Sequence, residues 1–242
     1  MTRTKNTYDR FASQYAEMIG HQLPTLYSEL IVPKLLEYVG EVNGKLVLDA
    51  GCGEGHISRL LSELGAIVIG MDVAGSLIEI ARSRSTGREI EYRCIDLSGD
   101  IPSRFQSMFD LVVSNLVIDD VPDYKGYIRN LGSMTKPNAR VVLTKNNPYS
   151  AVIRGKVDNY FDSGNAVIYQ GMASAGVEVF YYHRTLEEYI TEFRQQGFVL
   201  ERLSDLKPGE NLKHHEIPAE RDRFERYFRF PFLMAMEFSR TG

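Results

Sequence analysis

Asp49, Asp72 and Asp96 recur at intervals of 23 and 24 residues, each closing a short apolar stretch. A carboxylate carries two acceptor oxygens, which suits it to paired hydroxyls or an amino group, and its charge attracts an ammonium or a sulfonium. The first acid opens the run Asp49-Ala50-Gly51-Cys52-Gly53-Glu54-Gly55. Alternating glycines let that backbone turn sharply and come close to a ligand, since no Cβ stands in the way. A dinucleotide loop reads G-x-G-x-x-G and seats a pyrophosphate at the following helix N-terminus. Here the third-glycine position holds His56, and Asp49 lies two residues before the first glycine, where it would repel a pyrophosphate. The loop favours a cationic nucleoside over a dinucleotide.

Strands are needed to hold those acids in line. Residues 46–48 form a short apolar run that reads as a buried parallel strand, and helix-forming sequence resumes at His56. Residues 66–71 predict a second strand ending at Asp72, and residues 90–95 a third ending at Asp96. Three successive βα units thus place one acid each at a strand's carboxyl end, the edge where open α/β sheets bind ligands. A fourth strand is expected over 109–114, a helix from Pro122-Asp123 through Leu131, and a fifth strand over 139–145 after the turn Lys136-Pro137-Asn138. Asp119 and Asp120 lie in the loop before that helix. They either face an acceptor or serve as helix-entry acids favoured by the dipole, and the second reading is preferred.

The combination of Asp49-Ala50-Gly51-Cys52-Gly53-Glu54-Gly55, Asp72, Cys94-Ile95-Asp96-Leu97 and Phe109-Asp110-Leu111-Val112-Val113-Ser114-Asn115 resembles the class I S-adenosylmethionine-dependent methyltransferases over residues 40–145. The resemblance implies a Rossmann-like α/β fold: a seven-stranded, mostly parallel sheet with helices on both faces and an antiparallel last strand, here 230–238. It implies S-adenosyl-L-methionine as cofactor and S-adenosyl-L-homocysteine as product. Gly51 and Gly53 would pass under the methionine moiety, with Asp49 beside its cationic end. Asp72 would hold the ribose and Asp96 the adenine amino group, with Val73 and Leu97 on either face of the ring. Ser114 and Leu116 would border the sulfonium. The segment from Tyr8 to Tyr15 looks like the family's N-terminal lid helix, so Tyr8 and Tyr15 would close over the cofactor. Asn146-Asn147-Pro148-Tyr149 is similar to a signature of amino-methyltransferases, but that signature follows the fourth strand. After the fifth it reads as a turn at the acceptor pocket.

The flanks would supply the rest of the site. Residues 1–40 carry aromatic and apolar residues at helical spacing, with a second helical stretch around Pro33. Residues 149–182 are the least regular part, and a long insertion there reads as a lid over the acceptor. Thr185 with Glu188 forms a capping box for a helix to about Gln196, Gly197-Phe198 leads into a strand over 199–203, and 207–225 reads as polar loop with a short helix. His183 is the candidate general base for a hydroxyl acceptor, histidine being the side-chain type suited to proton transfer near neutral pH. Tyr182 and Asn146 are candidates for orienting the acceptor.

Composition narrows the partners. A net charge of −4 and a pI near 5.8 give no basic footprint for nucleic acid. Cys52 and Cys94 form neither a disulfide framework nor a metal spacing, and no metal is expected. No apolar run approaches the roughly 18 residues of a membrane span, and the N-terminus lacks a signal peptide's apolar core. The expectation is a cytoplasmic monomer or homodimer. Its single domain over 1–242 divides into a helical lid (1–40), a cofactor core (41–145), an acceptor-side lid (146–183) and the rest of the sheet (184–242). It would methylate a hydroxyl, amine or carbon of a small molecule. An RNA or protein methyltransferase, or a non-catalytic module of the same fold, is the alternative.

Overall fold

A computed structural model describes residues 3–21, 27–164, 166–172, 177–209 and 225–241. Two helices, α1 (Arg3–Arg10) and α2 (Ala12–His21), precede a π-helical turn, Tyr27–Ile31, that runs into α3 (Val32–Val39). Pro33 falls in the first turn of α3, where its missing N–H has no intrahelical partner to lose. The central pattern then alternates: β1 (Leu46–Ala50), α4 (His56–Glu63), β2 (Ile67–Asp72), α5 (Gly75–Arg84), β3 (Ile90–Cys94), β4 (Phe109–Asn115), α6 (Tyr124–Met134) and β5 (Thr135–Asn146). The later part comprises α7 (Tyr149–Ile153), β6 (Ala166–Met172), β7 (Val177–Tyr182), α8 (Leu186–Gln195), β8 (Phe198–Asp205) and β9 (Leu233–Arg240).

Seven strands form one sheet in the order β3-β2-β1-β4-β5-β9-β8. β1 to β5 run parallel, and β9 lies antiparallel to both β5 and β8. The expected architecture is present. Successive core residues point to opposite faces, as the strand period of two demands. Val47, Leu111, Val113 and Val142 pack with α3 and α4 on one face, while Leu48, Val112 and Val141 pack with α6 and α8 on the other. Burial on both faces explains why these strands read as continuous apolar runs. Each fully buried Val or Leu contributes on the order of 1.5–3 kcal/mol.

Three details differ from expectation. β5 begins at Thr135, and the residues read as a turn form a bulge within it: pairing jumps from Phe109 with Thr135 to Leu111 with Arg140, and Asn138 takes a left-handed φ of 62°. β9 starts at Leu233, after Pro231 rather than through it. The irregular 149–182 segment contains α7 and a separate two-stranded sheet of β6 and β7. Most of the expected loop over 207–225 lies outside the described residues. The capping box is present, with Thr185 accepting from the Glu188 backbone and Glu188 from that of Thr185.

The strand order reverses between β1 and β4, and a crevice opens outside their carboxyl ends. α1 and α2 cross above it. Asp9 accepts a hydrogen bond from Ser76 N at 2.9 Å, capping α5 from a distance, and Arg84 donates to the Ala16 carbonyl at 2.8 Å. Ala12, Ala74 and Leu77 pack together beneath Tyr8 and Tyr15.

Candidate active site

The crevice is lined by the glycine loop, the ends of β2 and β4, and the roof helices. Its floor is the glycine loop. Gly51, Gly53 and Gly55 all hold positive φ, at 83°, 54° and 84°. A Cβ on Gly51 would lie 2.4 Å from Val117 Cγ2, so its lack of side chain serves packing as well as conformation. Gly53 has space above it, with only the Tyr15 ring near, at 3.6 Å from the same imagined atom. Gly55 is the residue before α4, so His56 opens that helix where a dinucleotide loop would have its third glycine.

Asp72 ties the loop to the end of β2. Its two oxygens accept from Gly53 N at 2.9 Å and Ala74 N at 2.8 Å. Burial raises its pKa, opposed by those backbone bonds. About four lone-pair sites on a carboxylate leave capacity for ligand hydroxyls. Asp96 lines the crevice next along and accepts from Ser98 N at 2.9 Å and Ser98 Oγ at 2.6 Å. Val73, Leu77, Ile95 and Leu97 give this end an apolar wall. Leu116 lines the far end with φ at 58°, a conformation that costs a non-glycine residue on the order of 1–3 kcal/mol.

Tyr8 and Tyr15 roof the crevice, their rings edge to face with centroids 5.5 Å apart. Burial raises both phenol pKa values, and neighbouring carboxylates add to it. The Tyr8 hydroxyl donates to Asp120 Oδ2 at 2.7 Å. Asp120 lines the crevice and is pushed up to about 8, first by burial and then by Asp119 and Asp72, with the Tyr8 bond acting the other way.

The helix-entry reading of Asp119 and Asp120 is therefore corrected. Asp123 caps α6, accepting from Gly126 N at 2.9 Å. Asp119 is 3% exposed, pairs with Lys145 Nζ at 3.1 Å and accepts from Tyr189 Oη at 2.8 Å and Asn146 N at 2.8 Å. This buried network fixes the turn that carries Asp120.

Of the residues singled out from the sequence, Tyr8, Tyr15, Gly51, Gly53, Asp72, Val73, Asp96, Leu97 and Leu116 line the crevice. Asp49 and Ser114 lie one layer behind. Asp49 is 1% exposed, accepts from Ser58 Oγ at 2.6 Å and is pushed up to about 7 by burial. Ser114 shares a hydrogen bond of 2.8 Å with Tyr127, which itself reaches the wall. The acceptor-side candidates are not brought to it. His183 is 2% exposed, its Nε2 lies 2.8 Å from the Tyr160 carbonyl, and the Tyr160 ring packs edge-on against it. Tyr182 packs beneath the Arg184 guanidinium, and Asn146 is bound to Asp119. Asn147 makes the expected turn, accepting from Tyr149 N at 3.1 Å. Sequence reading weighed Asp120 as facing the acceptor but preferred helix entry; in the structure it ends a short 3-10 turn, Ile118–Asp120, and lines the crevice. Among the described residues, no three His, Cys, Asp or Glu side chains form a metal-holding group, and no helix is long and apolar enough to cross a membrane.

Comparison with known proteins agrees with this geometry. Residues 48–143 match a family described as a methyltransferase domain. Ubiquinone biosynthesis O-methyltransferase of Coxiella burnetii is 33% identical over 120 residues, 48% of this chain and 50% of that one. Its counterpart in Xanthomonas euvesicatoria is 35% identical over 144 residues, 56% and 59% of the two chains. The chain thus spans about half the length of the curated relatives it matches. Among solved structures, an S-adenosylmethionine-dependent methyltransferase from Mesorhizobium loti superposes with a TM-score of 0.72 at 23% identity, covering 86% of this chain and 96% of its own. Magnesium protoporphyrin IX methyltransferase from Synechocystis gives 0.65 at 16%, covering 98% and 97%. At these identities the structural likeness speaks for the fold.

Proposed function

We propose, from the premise that this chain carries a class I S-adenosylmethionine-dependent methyltransferase domain, that the protein methylates a hydroxyl group of a small organic acceptor. The observation that carries this reading is the charge of the crevice: Asp72, Asp96 and Asp120 line it, and no Lys, Arg or His does among the described residues. Such a wall suits a cationic nucleoside and repels a phosphate-bearing one. S-adenosylmethionine, when bound, supplies an electrophilic methyl group on a sulfonium.

The chain's own residues then divide the work. Asp72, held by Gly53 N and Ala74 N, would accept from ribose hydroxyls, and Asp96 from the adenine amino group, with Val73 and Leu97 enclosing the ring. Gly51 and Gly53 let the backbone approach the amino-acid end, with Asp49 behind them. Leu116, backed by the Ser114–Tyr127 pair, borders the methyl end. Tyr8 and Tyr15 exclude water above it. Orientation of this kind supplies up to roughly 7–11 kcal/mol in favourable cases. An acceptor hydroxyl must also lose its proton, and Asp120 is the crevice carboxylate placed to take it. His183, spent on the Tyr160 carbonyl, positions the β7–α8 connection instead.

Methylation of oxygen is supported by the O-methyltransferase relatives and by Asp120. A net charge of −4 supports a small acceptor over nucleic acid, and a cytoplasmic, single-domain monomer or homodimer remains part of the proposal. The test is incubation with methyl-labelled S-adenosylmethionine and a cell extract split into metabolite and macromolecule fractions. Label in a metabolite, located on oxygen by mass spectrometry, supports the reading. Label in RNA or protein, or on nitrogen or carbon, overturns the corresponding part.

A further inference from the structure

If the crevice binds S-adenosylmethionine as proposed, the ligand changes charge during turnover: it enters as a sulfonium and leaves as an uncharged thioether. The three crevice carboxylates are not equivalent in how they meet that change. Asp72 is pinned by two backbone N–H groups and Asp96 by Ser98. Asp120 is bonded instead to Tyr8, a neutral phenol on the roof helices. Around it stand Tyr8 and Tyr15 from α1 and α2, Asp72 from β2, and Asp119 on its own turn. Asp119 is matched by Lys145 of β5 at 3.1 Å. Arg184, after β7, binds the carbonyls of Ile118, Val121 and Pro122 that flank the turn.

We propose that Asp120 reads the cofactor's charge, ionised beside the sulfonium and protonated beside the thioether, so that the crevice prefers substrate over product and does so more strongly as pH rises. In the ligand-free crevice, burial and the neighbouring acids push Asp120 up to about 8. A cation arriving nearby favours the carboxylate. Below that point, binding of the sulfonium expels a proton to solvent. Its affinity therefore climbs with pH by up to about tenfold per pH unit, then levels once the carboxylate is already ionised. The thioether brings no charge and gains nothing from this ionisation. Asp49, pushed up to about 7, is the rival for the same role, but it stands behind the glycine loop and is bonded to Ser58.

The test is calorimetric titration with S-adenosylmethionine and with S-adenosylhomocysteine from about pH 6 to about pH 9, in buffers of different ionisation enthalpy. The amino-acid end is common to both ligands, so their affinity ratio isolates the sulfonium. The ratio is expected to rise with pH and level near the Asp120 titration, with proton release on binding the sulfonium only. Asp120→Asn should flatten that rise while holding S-adenosylhomocysteine affinity within about threefold, which shows an intact crevice. Tyr8→Phe, which removes the bond that favours the carboxylate, should move the rise to higher pH. A flat ratio in the wild type, a rise that survives Asp120→Asn, or one abolished by Asp49→Asn alone overturns the proposal. If neither ligand binds, the cofactor assignment itself falls, a result distinct from binding without pH dependence.

Discussion

Tyr8 and Asp120 stand 112 residues apart in sequence and 2.7 Å apart at the mouth of the crevice, the phenol donating to the carboxylate. The bond joins the roof to the turn that carries Asp120, so loss of the roof exposes the group proposed to take the proton. Tyr8→Phe should weaken S-adenosylmethionine binding by roughly tenfold, since a hydrogen bond to a charged group is worth about 1.5–3 kcal/mol at full burial. It should also raise amide exchange in α1. Unchanged exchange would show that the Tyr8–Asp120 bond does not hold the roof in place.

Asp72→Ala removes the acceptor for two backbone N–H groups as well as the proposed ribose contact. Binding of S-adenosylmethionine should weaken by more than an order of magnitude while the protein stays folded by circular dichroism. An unchanged Kd in calorimetry would contradict the ribose assignment.

The glycines of the loop should separate by cause. Gly51→Ala meets both a positive φ and Val117, and should cost about 2–4 kcal/mol in urea denaturation. Val117→Ala in the same chain should restore the part due to the clash and leave the part due to φ. Gly53→Ala meets no close atom and should cost about 1 kcal/mol. Equal losses at the two sites would refute the packing argument.

Removing one partner of the buried Lys145–Asp119 pair should cost about 3–5 kcal/mol, because the other charge is stranded. Lys145→Met with Asp119→Leu should be more stable than either single variant. Additive losses in chemical denaturation would show that the pair is not coupled.

Stability of the ligand-free protein should fall as pH rises from about 5 to about 8. Burial lifts the folded-state pKa of Asp49 to about 7 and of Asp120 to about 8, above the unfolded value near 3.8. Across that window the native state holds more protons than the unfolded one, so raising pH favours unfolding. His56, lowered by burial, works weakly in the opposite sense. Melting temperatures of wild type and of Asp49→Asn with Asp120→Asn should diverge at the alkaline end. Parallel curves would refute the assignment.

The sheet and the crevice floor were legible because their causes are local. Parallel strands buried on both faces read as apolar runs at residues 46–48 and 66–71, and the loop glycines are required by their own φ values. Which of its two readings held for Asp120 was not legible, because its placement depends on Tyr8 from a distant helix and on Lys145 and Tyr189 holding Asp119 beside it. His183 drew attention by residue type, yet burial under Tyr160 is a tertiary matter that the local sequence Tyr-Tyr-His-Arg does not encode. The β6–β7 ribbon escaped notice because glycine and small residues interrupt its alternation, and its pairing comes from residues on both sides of that interruption.

β9 lies between β5 and β8, although it follows both in the chain. During synthesis the five parallel strands and the crevice at their ends can therefore assemble while the rim of β5 still has open backbone donors and acceptors. β8 emerges earlier than the strand it must pair with and waits for residues 233–240 before it can dock. The nascent chain thus acquires its ligand-binding half ahead of its seal. Until then the open rim of β5 is a strand edge that another chain could pair with.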